Sequence, residues 1–132
     1  MEPIRRVLVC GGREYADKDI LWDYLDARLR EWRFAVLIHG GARGADRLAD
    51  AWAMARDVQP AACRANWSLQ PRAGGMIRNN RMLILQPQAA IAIPGGTGTA
   101  DMIKRCESAG IEVRRVPCRR DYVFATRASG TD

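Results

Sequence analysis

Short apolar runs alternate along the chain with stretches of helical spacing. The run Ile4–Cys10 (IRRVLVC) reads as a strand and stops at Gly11 and Gly12. From Asp17 to Trp32, the residues Ile20, Leu21, Tyr24, Leu25 and Leu29 recur with the period of an amphipathic helix. Phe34–His39 (FAVLIH) is a second strand, ending at Gly40 and Gly41. Ala45–Asp57 is Ala-rich and helical, with Leu48, Trp52 and Ala55 on one face. Val58–Cys63 is a weak third strand carrying Pro60, and Asn66–Gly75 has no period and reads as a loop. Gly75–Leu85 is helical, with Met76, Met82, Leu83 and Leu85 apolar. Ala89–Ile93 is a fully apolar fourth strand that ends at Pro94, Gly95 and Gly96. Thr99–Ala109 is a helix closed by Gly110, a C-cap residue, and Ile111–Val116 is a last strand before Pro117.

Strands that are apolar on both faces, separated by helices, predict a parallel sheet covered on both sides. Right-handed crossovers make that sheet doubly wound. The expected class is therefore α/β, with five strands in the order 3-2-1-4-5 and helices on both faces. Residues 1–118 form one domain in this reading. Residues 119–132 form a basic C-terminal tail whose end, Thr126–Asp132, reads as loose. Trp22, Trp32 and Trp52 lie at helical spacing and are expected in the core.

Composition agrees with a single globular domain. The chain has 132 residues, of which 48% are hydrophobic and 27% charged. No apolar run approaches the ~18 residues of a membrane span, and no signal peptide is visible, which points to the cytoplasm. The formal net charge of +6 suits an anionic partner, but most basic residues are scattered; only Arg114, Arg115, Arg119 and Arg120 cluster. The four cysteines form no C-x-x-C pair, and His39 is the only histidine. Reduced thiols and no metal site are expected.

One heptapeptide recurs. Residues 11–17 read GGREYAD, residues 40–46 GGARGAD and residues 95–101 GGTGTAD. Each follows an apolar strand and opens a helix. A glycine pair turns the chain sharply and bares the backbone to a ligand, and the next helix presents unpaired N–H groups and a positive dipole end. Together they suit phosphate. Order 3-2-1-4-5 places the ligand crevice between strands 1 and 4, where the strand order reverses. The expected phosphate-binding residues are Gly11, Gly12, Gly40, Gly41, Gly44, Gly95, Gly96, Thr97, Gly98 and Thr99.

Other side chains join these loops. Asp17, Asp46 and Asp101 stand near helix starts, where a carboxylate caps N–H groups. Asp101, beside the crevice, is alternatively an acceptor for a ribose hydroxyl. Arg13, Arg43, Arg72 and Arg78 flank the loops, and the planar guanidinium fork fits phosphate. Asn79 follows Arg78 at a helix start facing the fourth strand's loop. Trp67 is placed to stack on a base or to pack in the core, and His39 to orient a ligand or its own loop.

These motifs carry a resemblance. VLVCGGREYAD, VLIHGGARGAD, Arg78-Asn79 and PGGTGTADM, in that order, resemble the YspA branch of the SLOG superfamily of Rossmann-like nucleotide-binding domains. That superfamily includes the Lonely Guy phosphoribohydrolases and the DNA-processing protein DprA. The resemblance implies a domain that binds a nucleotide or nucleotide-derived ligand, with Gly95, Gly96, Gly98 and Thr99 matching the phosphate-binding PGGxGT. It also implies a homodimer. The phosphoribohydrolases carry PGGxGTxxE; here Met102 stands where their glutamate does. Binding, as sensing or sequestration of a nucleotide signal, is the leading expectation. The alternative is hydrolysis of the N-glycosidic bond of a nucleoside 5′-monophosphate, with Arg78 and Asp101 as catalytic residues. A DprA-like single-strand binder comes third, since the sequence has no aromatic-rich basic stripe.

Overall fold

The alternation of side chains along β1 (Ile4–Cys10) sets the architecture. Val7 and Val9 fall on one side, Leu8 and Cys10 on the other, and all four are buried. A strand apolar on both sides needs helices on both. The computed structural model, which describes residues 3–65 and 74–125, supplies them.

The elements that follow are α1 (Lys18–Glu31), β2 (Arg33–His39), α2 (Ala45–Ala55), β3 (Pro60–Ala62), α3 (Gly74–Ile84), β4 (Ala89–Ala92), α4 (Thr97–Ser108) and β5 (Glu112–Arg115). All strand pairs are parallel, and the order is β3-β2-β1-β4-β5, as the hydrophobic pattern predicts. Val7 stands beside Leu37 of β2 and Ala89 of β4, which fixes the central register.

Two cores result. On one side Val7, Val9 and Ile91 pack with Leu21 and Leu25 of α1 and Trp52 of α2. On the other, Leu8, Cys10, Ala90 and Ala92 pack with Met82 of α3 and with Met102 and Cys106 of α4. All four cysteines are free thiols. Burial pushes Cys10 up to about 12 and Cys106 to about 11, so both stay protonated and inert at neutral pH.

Differences from the sequence reading have local causes. β3 keeps three residues. It lies at the sheet edge, where Pro60 is tolerated because its missing N–H faces away from the ladder. Helix α4 starts at Thr97 and not at Thr99, because Gly98 enters the first turn without breaking it. The segment after β5 docks on α1. There Arg119 pairs with Asp17 at 3.1 Å and Asp19 at 2.6 Å, in a short 3-10 turn over Arg119–Asp121. The Tyr122 hydroxyl and the Ala125 N–H both donate to Asp23, at 2.7 and 2.8 Å. The expected loose end, residues 126–132, lies outside the described residues. Among the described residues, no helix is long and apolar enough to cross a membrane.

All three tryptophans assigned to the core pack there, Trp22 at its margin. Trp52 is fully buried, and its indole N–H donates to Asp26 of α1 at 2.9 Å. Arg56 clamps the same carboxylate at 2.8 and 3.0 Å, so one acidic group joins α1 to α2. Trp52→Ala empties this junction and is expected to cost about 3–5 kcal/mol. The check is the urea unfolding midpoint, which should fall with little change in slope.

Candidate functional site

Parallel strands deliver their following loops to one edge of the sheet, and the order brings the β1 and β4 loops side by side. Gly12 joins them. Its N–H donates to Pro94 O at 3.0 Å, and its carbonyl accepts from the Ala45 N–H at 3.0 Å. One peptide segment after β1 is thereby tied to the loop after β4 and to the first residue of α2.

Beneath this junction opens a cavity of about 590 Å³. Eleven expected site residues line it: Gly11, Gly12, Arg13, Asp46, Arg78, Asn79, Gly96, Thr97, Gly98, Thr99 and Asp101. Gly40, Gly41 and Arg43 line a smaller neighbouring cavity, together with Arg13 and Arg78. Gly44, Gly95 and His39 line neither among the described residues. Trp67 and Arg72 lie outside the described residues. Sequence reading missed Arg64, which follows the weak third strand and borders the smaller cavity. It also missed Met76 and Met82, which give the crevice an apolar wall from α3.

The glycines divide into two kinds. Gly44 has φ +77°, and a Cβ there would come within 2.4 Å of the Gly12 and Arg13 carbonyls. A Cβ at Gly95 would come within 2.6 Å of the Gly12 N–H nitrogen. These two let the loops approach one another. Gly96 and Gly98 differ: neither has positive φ, and a Cβ at either meets nothing within 4 Å. Both border the cavity, and a Cβ at either would stand in open space.

The three heptapeptides do not make equal cradles, contrary to expectation. Helix α1 starts only after the first heptapeptide, and its N-cap Asp17 pairs with Arg119 away from the crevice. Helix α2 starts at Ala45, whose N–H is taken by Gly12. Helix α4 starts inside the third heptapeptide, without a side-chain cap, and its first three residues line the cavity. Among the described residues, α4 offers the crevice an uncapped N-terminus with its dipole end and N–H groups, and Gly75 and Met76 of the first turn of α3 line the same cavity.

The aspartates do not form the expected side-chain caps. None of α1, α2 or α4 has a side-chain cap bond. Asp46 turns backward, and its Oδ2 accepts from the Gly40 and Ala42 N–H groups at 3.0 and 3.2 Å. Burial raises its carboxyl above the usual carboxylate range, and Oδ1 is buried without a hydrogen-bond partner. Asp101 sits in the second turn of α4, too far along to cap. Its Oδ2 accepts from Arg105 Nε at 2.7 Å and Asn79 Nδ2 at 2.8 Å. The Arg105 hydrogen bond holds this carboxyl below the usual range.

His39 braces its own loop. It is 2% exposed. Nδ1 accepts from the Gly41 N–H at 3.0 Å, which leaves the ring proton on Nε2 to be donated to Asp50 at 2.8 Å. Among the described residues, no group of three His, Cys, Asp or Glu could hold a metal ion.

The model of the YspA, cpYpsA-related SLOG family matches residues 5–69. The Gene 61 protein of Mycobacterium phage D29 is 36% identical over 118 residues, which span 83% of this chain and 94% of that protein. The chain belongs to the YspA, cpYpsA-related SLOG family. No solved structure matches it. The span matched by the SLOG family model contains β1 to β3 and the first two heptapeptides. The α4 terminus, Arg78 and Asp101 lie beyond that span.

The two kinds of glycine give a paired expectation. Gly44→Ala should lose about 1–3 kcal/mol, because strain and a backbone clash coincide. Gly96→Ala should stay within about 0.5 kcal/mol of the parent. Gly98→Ala, inside a helix, should gain up to about 1 kcal/mol. Chemical denaturation of the three variants checks the order.

Proposed function

We propose that this SLOG protein binds a nucleotide-derived, phosphorylated ligand, with a phosphate at the N-terminus of α4. Gly96 and Gly98 carry the reading. Neither packing nor positive φ asks for glycine at these two positions, and both border a cavity at an uncapped helix N-terminus. At Gly98 the helix forgoes the stability an alanine would add. An anion there gains about 0.3–1 kcal/mol from the helix dipole, beyond its hydrogen bonds to the amides. Arg13 and Arg78 add positive charge from the side. Membership of the SLOG family supports a nucleotide as the rest of the ligand.

Asp101, Asn79 and the apolar wall of Met76 and Met82 are the partners available to sugar and base. Binding is favoured over glycosidic hydrolysis because the glutamate of the phosphoribohydrolase signature is missing. The Asp101 carboxylate, tied to Arg105 and Asn79, suits a hydroxyl acceptor. Met102, at the position of the phosphoribohydrolase glutamate, is fully buried in the second core.

Melting curves taken with AMP, ADP-ribose, adenosine and ribose test the proposal. The phosphorylated compounds should raise the melting temperature by several degrees near saturation, since ligand at about 100 times Kd adds ~2.7 kcal/mol. Adenosine and ribose should leave it unchanged. Gly98→Val should remove the response to phosphate while keeping the fold. Free adenine released from AMP would instead favour the hydrolase. No response to any phosphorylated compound would refute both.

A further inference from the structure

The smaller cavity beside the crevice has a volume of about 310 Å³ and shares Arg13, Ala42 and Arg78 with it. Among the described residues, four arginines border it and no carboxylate does. Arg43 is paired with Glu14. Arg64 and Arg78 form no ion pair among the described residues. Both are nonetheless held in place. The Arg64 Nη1 donates to Gly41 O at 3.0 Å. Arg78 lies across Gly40, where a Cβ would stand 2.8 Å from its Cδ, and its Nε is buried without a hydrogen-bond partner.

The loop's own amides are already committed. The Gly40 and Ala42 N–H groups donate to Asp46, and the Gly41 N–H donates to His39. A guest in this cavity therefore meets guanidinium groups, whereas a guest in the crevice meets helix amides. Guanidinium groups brought together around one small cavity repel one another, and an anion seated between them relieves that repulsion. The guanidinium fork suits the paired oxygens of phosphate or carboxylate.

We propose that this cavity is a second anion subsite, held by Arg64 and Arg78. The ligand class that follows is a nucleotide derivative with anionic groups at two separate places, one at the α4 N-terminus and one here. This rests on the crevice being the phosphate site proposed above.

A titration of the full chain with inorganic phosphate, followed by amide NMR at constant ionic strength with chloride as control, separates the two sites. Amides of Gly40, Gly41 and Ala65 should shift, and so should those of Gly96 and Gly98. In Arg64→Gln, phosphate affinity read at the first group should fall at least tenfold, while affinity read at the second stays within twofold. Well-dispersed spectra of the variant show that it folds. The subsite is refuted if Gly40, Gly41 and Ala65 stay silent, or respond equally in Arg64→Gln, while Gly96 and Gly98 still shift. Silence at Gly96 and Gly98 refutes the crevice reading, and the doubly anionic ligand with it.

Discussion

The peptide group at Gly12 organises this end of the molecule. Its N–H and carbonyl each bond to a different loop, Pro94 after β4 and Ala45 after β2. Buried backbone groups must be paired, so these bonds are obligatory as well as stabilising. They bring three strand ends together and leave a crevice between them. The space itself depends on Gly44 and Gly95, which allow the strands' loops to pass close to one another.

The site divides its polar groups by task. Asp46 and His39 are turned inward, toward the Gly40–Ala42 backbone, and hold that loop's shape. Asn79, Arg105 and Asp101 form a chain of hydrogen bonds along α3 and α4 that fixes the orientation of the Asp101 carboxylate. The helix amides of α4 and the guanidinium groups of Arg64 and Arg78 are the groups proposed to meet a guest. Preorganised donors of this kind cost little reorganisation when an anion arrives.

Much of the fold was legible because it follows from burial. A strand such as Ile4–Cys10, apolar on both sides, has few arrangements open to it, and the order of the five strands follows from right-handed crossovers. The tryptophans were legible for the same reason. The site was legible only in part. Three similar heptapeptides suggested three similar cradles, yet their helices begin at Lys18, Ala45 and Thr97, at different points of the repeat. Where a helix starts depends on how the preceding loop packs, and Gly12 bonds both to the first residue of α2 and to Pro94 ahead of α4. The reversed orientation of Asp46 depends on the path of a loop six residues earlier. Arg64 went unnoticed because β3 is a short edge strand with little hydrophobic signal, so nothing marked its end as part of the site.

The most direct test of the anion site is a crystal structure grown with the nucleotide that raises the melting temperature most. A phosphate oxygen within about 3.2 Å of the Gly98 or Thr99 amide nitrogen is the predicted result. A phosphate bound away from the α4 N-terminus, with the space over Gly96 and Gly98 unfilled, would contradict it.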